Sequence, residues 1–430
     1  MSYKIRSLNV KYYPPGLNIE YTHDGQNMKK NINLPPITNL TDMNALATKI
    51  ISENSEFRER HKPKLIEALQ QILKMQNVEY SQFYLQNVYK THQMPIFDCS
   101  FNKNGDLFVT GSSDRTCCIW ETETGRNIAT LKGHNNVVYS CTFNTPVGNL
   151  VATASFDKTA GIWDVKEAKN LHMLRGHTQE VVSIRFDPTS AQVATASMDS
   201  TCRIWDVETG ALKHILEDHT AEVIGIDFHP TEPVLLTSSF DQTARLWDTR
   251  TGDCISILRG HTGELTGADF SLGGNLVITG SSDRTARLWD VRMVKNIAVL
   301  SGHKDQVLSV CFSIDGSKIA TSSLDKTAAI WSSVNGNRLA VCEGHTDEVG
   351  SCMFSPQGNK LLTASDDTTC RLWDAEDGSC TEVLEGHTDA VMMCSFNYAG
   401  DRIITASKDN TVRQWKAGEM KMNEDFEFGY

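Results

Sequence analysis

The chain has 430 residues, with 41 Lys and Arg against 53 Asp and Glu, a formal net charge of −12. Hydrophobic residues make up 40% and charged residues 22%, the balance of a folded chain with a sizeable core rather than a disordered one. The acidic total weighs against nucleic acid as a partner, since phosphate binding needs clustered Lys and Arg. No stretch approaches the roughly 18 apolar residues that a membrane span needs.

Residues 1–16 show no apolar core or cleavage site of the secretory kind. The twelve Cys contain no CxxC pair, and Cys117 and Cys118 leave a strand on opposite faces. A disulfide framework or zinc site therefore has little support. The expectation is a reducing, intracellular compartment, small buried thiols, and neither metal nor cofactor.

Residues 1–82 read as a small α+β domain. Positions 3–21 alternate and turn at Pro14-Pro15-Gly16, and 28–34 can add a strand. Thr41 and Asp42 can cap a helix running to about Glu53. Pro63 can open a second helix, on which Leu65, Ile66, Leu69, Ile72 and Leu73 form an apolar stripe. Through residue 90 there are 12 Lys and Arg and 8 Asp and Glu, a net of +4; the remainder holds 29 and 45, a net of −16. A basic cap can dock on the acidic remainder. Alternatively the junction is a cleft for a charged peptide, with Lys29, Lys30, Arg58, Arg60, Lys62 and Lys64 on its basic side.

From residue 83 the chain is periodic. The eight Trp stand at 120, 163, 205, 247, 289, 331, 373 and 415, spaced 43 once and 42 six times. Each is preceded by Asp at −6, with Ser two before that Asp, Thr four before it and Thr two after it. A His series runs from His92 to His387, and six of its eight members follow Gly. This is the WD40 pattern, each copy reading as four short strands. Radial four-stranded sheets make a β-propeller. The expected class is all-β: an eight-bladed propeller over 83–416 behind the small domain. Two rings of four are the alternative, although no linker separates the copies. The last copy ends on its third strand at Trp415, and 83–90 (FYLQNVYK) can supply the missing outer strand. The tail, 417–430, is acidic and is expected to be disordered.

The repeated polar residues are expected to be structural. Sets such as His134, Asp157 and Trp163, His177, Asp199 and Trp205, or His261, Asp283 and Trp289 resemble catalytic triads. An enzyme, however, needs one site rather than eight equivalent ones. WD40 proteins use such a set to tie a blade together, through a hydroxyl that the sequence does not single out between the Ser and the Thr. Arg stands two before Trp in five copies; Cys118, Gly161 and Ala329 replace it in the others, predicting weaker networks in blades 1, 2 and 6. By resemblance to other WD40 domains, three ring positions should reach one face. They carry Glu180, Glu222 and Glu264; Tyr139 and Ile224; and Phe156, Met198 and Phe240. Large apolar groups rimmed by carboxylates suggest a partner surface on blades 2 to 4, against the alternative that they merely pack the channel mouth.

The order of a short N-terminal domain and eight WD40 copies, the run from Lys11 to Gly16 (KYYPPG), FYLQNVYKTH and TGSSDRTCCIW resemble the dynein assembly factor with WD repeats family, the outer-dynein-arm adaptors. The resemblance implies a monomeric, non-enzymatic cargo adaptor. It would link preassembled outer-arm dynein to the intraflagellar transport complex B for import into cilia or flagella, acting in cytoplasm, basal body and cilium. The competing reading is a general WD40 scaffold, such as a substrate receptor of a ubiquitin ligase.

Overall fold

The computed structural model describes residues 4–11, 16–23, 26–34, 37, 41–76, 80 and 82–418. Pro14, Pro15 and the tail from 419 onward lie outside the described residues.

The N-terminal domain opens with three antiparallel strands, β1 (Lys4–Lys11), β2 (Gly16–His23) and β3 (Gln26–Asn33), in the order β1-β2-β3. On the central strand Leu17, Ile19 and Tyr21 point to one face at the period of two and are buried. Helix α1 (Met43–Glu53) is capped by Asp42, whose carboxylate accepts the N–H groups of Asn44 at 2.8 Å and Ala45 at 3.2 Å. Helix α2 (Lys62–Gln76) carries Pro63 in its first turn, where its missing N–H costs nothing. Its Leu65, Leu69 and Ile72 are fully buried, with Ile66 and Leu73 packed at the edge. They join Leu17, Ile19, Ile50 and Phe57 in a core that, among the described residues, shares no side chain with the propeller.

Eight four-stranded antiparallel sheets follow, blades 1 to 8. Blades 1 to 7 span 96–132, 138–175, 181–216, 223–259, 265–301, 307–343 and 349–384. Each runs outward from its inner strand. Blade 8 is composite: Val391–Phe396, Arg402–Ser407 and Val412–Ala417 are completed by Phe83–Tyr89, paired antiparallel from Val412↔Tyr89 to Ala417↔Phe83. The third strand thus reaches Ala417. The Gly418 N–H donates to the Gln82 carbonyl at 2.9 Å, joining the two ends of the ring. The inner strands of blades 8 and 1 are neighbours like every other consecutive pair. One core spans this seam, with Tyr89, Ile404 and Val412 against Ile96, Phe108 and Trp120. The ring is closed.

The repeat explains the packing. Second strands are buried on both faces and read as β-branched or small residues ending in Thr-small-Ser. The small position faces the next blade's inner strand. A Cβ on Gly111 would lie 3.1 Å from the Val138 carbonyl oxygen, and one on Gly280 would lie 2.8 Å from the Val310 Cγ1. The twelve Cys are all free thiols, nine of them buried.

Candidate binding face

Each blade is held by one polar relay. The His Nδ1–H, the tautomer its carboxylate partner requires, donates to Asp at 2.7–2.9 Å in all eight blades. The hydroxyl hub is the Thr four before Asp. It lies 2.7–2.9 Å from His Nε2 and accepts the Trp indole N–H at 2.8–3.2 Å. The Ser has a different task. Its oxygen accepts the Asp N–H at 3.0–3.1 Å and its proton goes to a carbonyl of the loop after His. The Thr after Asp donates to the second carboxylate oxygen. Burial works against the charged aspartates, but these hydrogen bonds outweigh it and hold all eight below the usual carboxylate range, Asp367 and Asp409 at about 2. The hub threonines are wholly inaccessible, so the relay binds sheet to loop and offers no nucleophile to a substrate.

The expected weakening of blades 1, 2 and 6 does not occur. Their His–Asp, His–Thr and Trp–Thr distances are 2.8, 2.9 and 3.1 Å; 2.9, 2.8 and 2.8 Å; and 2.9, 2.8 and 2.9 Å. The reason is that the Arg two before Trp stands outside the relay, beside the Gly that precedes His. The Arg287 guanidinium lies 2.7 Å from where a Cβ on Gly260 would be. In blade 6, where Ala329 replaces the Arg, Arg338 from the outer strand occupies the same place beside Gly302, at 2.8 Å.

The face carrying the His loops and Asp turns has a regular construction. The residue three after His and the residue before Asp are joined by a backbone hydrogen bond in every blade. Met198 N–H donates to Glu180 O at 2.9 Å, Phe240 to Glu222 at 3.0 Å and Ser282 to Glu264 at 2.8 Å. The residue five after His is the unpaired residue of a β-bulge in every blade, as the register skips it between Val181 and Ser183 or Val223 and Gly225. A bulge re-aims its extra side chain. The bulged residues are Phe97, Tyr139, Val182 and Ile224 in blades 1 to 4. Phe156, Met198 and Phe240 stand at the turn tips of blades 2 to 4. Tyr139, 39% exposed, stacks on Phe156 with ring centroids 5.1 Å apart and meets Phe97 at 5.5 Å. Phe156, Met198, Ile224 and Phe240 are half-buried, as are Glu180 and Glu222, and Glu264 is exposed. The sequence pattern marked Tyr139 and Phe156 without the stack that joins them; in blades 1 to 4 the bulge signal is the apolar residue following the buried Val or Ile that opens the inner strand.

The N-terminal basic residues are only partly available. Lys29 pairs with Glu20 on the neighbouring strand at 2.6 Å. Lys30 is bound to the buried Glu56 at 2.8 and 3.0 Å. Burial lowers the His61 pKa, and the nearby charges of Arg60, Arg58 and Lys64 lower it further. Arg58, Arg60 and Lys64 are exposed and Lys62 half-buried. A second charged group escaped sequence reading. On the inner strands of blades 3, 4 and 5 the equivalent residues are Arg185, Asp227 and Asp269, lining the central channel. Each carboxylate also accepts an N–H of the next blade, Phe270 and Phe312, at 3.0 Å. Burial raises both carboxyls, pushing Asp227 up to about 6, and the neighbouring Asp227 charge raises Asp269 further. Its signal was three consecutive charges where the other five repeats have none. Among the described residues no group of three or more His, Cys, Asp or Glu is placed to hold a metal ion.

Comparison with known proteins follows this geometry. Residues 64–290 match the family model described as IFT122 first beta-propeller, and 294–332, 336–374 and 378–416 each match that of the WD domain, G-beta repeat. Human dynein assembly factor with WD repeat domains 1 is 44% identical over 149 residues, 34% of this chain and 35% of the relative. The zebrafish (Danio rerio) protein of that name is 42% identical over 150 residues, with the same shares. The match thus spans about a third of the length of these curated relatives. A crystal structure of the computationally designed Ika8 protein superposes with a TM-score of 0.67 at 26% identity, covering 76% of this chain and 97% of that one. With more than half of its length matched by one propeller model and the rest of the ring by WD repeats, the chain belongs to the WD40-repeat β-propeller family, in the branch of the IFT122 first beta-propeller.

Proposed function

We propose that the chain is a monomeric, non-enzymatic cargo adaptor that links preassembled outer-arm dynein to the intraflagellar transport complex B for import into cilia or flagella. It works in the cytoplasm, at the basal body and in the cilium, and needs neither nucleic acid nor membrane as a partner. The observation that carries this reading is the arc of bulged and turn-tip apolar residues on blades 1 to 4, beside Glu180, Glu222 and Glu264. Folding alone does not need Phe or Met at a turn tip, whereas a partner anchor does. The shared name of the relatives supports dynein as cargo, and the intraflagellar transport family model supports the transport side. The carboxylates suit a partner segment with apolar anchors flanked by Lys or Arg.

The test is Phe156→Glu combined with Phe240→Glu. Each change should cost about 2 kcal/mol or more of binding free energy, the range of a buried anchor. Circular dichroism and melting should stay near wild type, because both side chains lie outside the relay. Affinity purification from ciliated cells should recover dynein heavy chains and transport-train subunits with the wild type, and lose at least one set with the variant. Recovery of cullin-associated subunits instead would favour the ligase-receptor reading. Undiminished binding by the variant would remove this face from the proposal.

A further inference from the structure

The opposite face of the propeller, formed by the turns between first and second and between third and outer strands, has an exception in blades 5 and 6. In blades 1 to 4 and 7 the turn before the outer strand carries a carboxylate: Glu123, Glu167, Glu208, Asp253, or Glu376 and Asp377. In blade 5 the same turn reads Arg292-Met293-Val294, with Lys295 opening the outer strand, and in blade 6 it carries Val334. Met293 is 73% exposed and Val334 82%. The Val291 N–H donates to Asn275 O at 2.9 Å, bringing this turn beside the loop that holds the exposed Leu272. The blade 6 turn leans on blade 5, since a Cβ on Gly336 would lie 2.4 Å from Ala298 Cβ.

Val294 adds a separate observation. Its φ is +49°, at a position filled by Gly125, Gly210, Gly252, Gly336 and Gly378 in five other turns and by Ala168, which is not β-branched, at φ +53° in blade 2. A β-branched residue there is strained, and such strain gathers at binding sites. Arg292 and Lys295 are exposed, and neither is neutralised by an ion pair among the described residues. We infer that this basic, apolar island docks an acidic peptide segment of a partner protein, one in which large apolar side chains alternate with carboxylates. An anionic membrane fits less well. A flat lipid surface would also meet the acidic turns of blades 3, 4 and 7, including Glu208, Asp253, Glu376 and Asp377. The inference is independent of the apolar arc on the other face.

The variant Met293→Thr with Val294→Gly installs the Thr-Gly turn that blades 3 and 4 already use (Thr209-Gly210, Thr251-Gly252), so it should fold at least as well as wild type. The probes are a synthetic peptide alternating Phe with Glu, its counterpart alternating Phe with Lys, and phosphatidylserine vesicles. Methionine-methyl NMR of the full chain should show the Met293 signal shifting with the acidic peptide only. The variant should weaken binding about tenfold or more, the loss of one good anchor, and high salt should weaken it as well. Equal binding of both peptides, binding of vesicles alone, no binding of any probe, or no loss in the variant would each overturn the proposal.

Discussion

Adjacent residues on one strand make the sharpest test of the relay. Thr237 and Ser238 lie in the second strand of blade 4, and both side chains are fully buried. Thr237 Oγ1 is 2.7 Å from His219 Nε2 and accepts the Trp247 indole N–H at 2.9 Å. Ser238 Oγ has no hydrogen-bond partner among the described residues and occupies the position filled by Gly or Ala in six other blades. Thr237→Val keeps the volume and orphans two buried polar groups. At about 1–3 kcal/mol for each, the loss should be about 2–6 kcal/mol. Ser238→Ala removes a hydroxyl that gains nothing from burial, so stability should stay level or rise by about 1 kcal/mol. Equilibrium unfolding in guanidinium, followed by Trp fluorescence, reads both. The wild-type and Ser238→Ala midpoints should nearly coincide, with Thr237→Val well below. Equal shifts for the two variants would refute the assignment of Thr as the hub.

The remaining predictions concern pH and closure. The depressed aspartates stabilise the fold above their unfolded pKa, near 3.8, and that contribution is lost as pH falls toward about 2, at about 2 kcal/mol for each of Asp367 and Asp409. Acid titration followed by circular dichroism should therefore show a steep loss below about pH 4. The histidines should divide by blade. Burial opposes the His92 charge, but Asp114 and the Cys118 thiol outweigh it and raise the pKa to about 9. Its contribution is therefore complete below 6.5 and lost as pH rises through about 9. His261, His345 and His387 are lowered by burial, with Arg287, Arg371 and Arg413 adding to it against the aspartates. Their contribution is complete above 6.5 and lost as pH falls below it. Hydrogen exchange resolved by blade should show these opposite trends, and a common direction would contradict them. Finally, a chain starting at Gln82 should remain a soluble monomer, whereas one starting at Thr91 loses Phe83–Tyr89, opens blade 8 and should aggregate. Size-exclusion chromatography distinguishes the two.

Much of the architecture was legible because the repeat is so regular. A Trp every 42 residues with Asp at −6 defines the unit, and period-two burial defines the strands. Helix α2 was readable from a stripe at helical spacing that begins just after a Pro. Less legible was anything decided between blades. The sequence presents Thr and Ser two apart on one strand as equals; only the position of His above the strand makes Thr237 the hub and leaves Ser239 to bind the turn. The replacements in blades 1, 2 and 6 read as defects. The fold shows that the Arg they lack never belonged to the relay, and that Arg338 arrives from another strand to fill one vacancy.

The sequence by itself determined the repeat unit, the division into a basic domain and an acidic ring, and the relay's participants. Periodicity and composition are local properties, written along one chain. The tertiary structure decided which side chains meet. Lys29 and Lys30 look like an open basic surface until the register places Glu20 beside one and the fold brings Glu56 to the other. Tyr139 and Phe156 become one aromatic platform with Phe97 only through a bulge and the apposition of blades 1 and 2. Such meetings depend on strand register and on closure between distant residues, and neither is encoded in spacing.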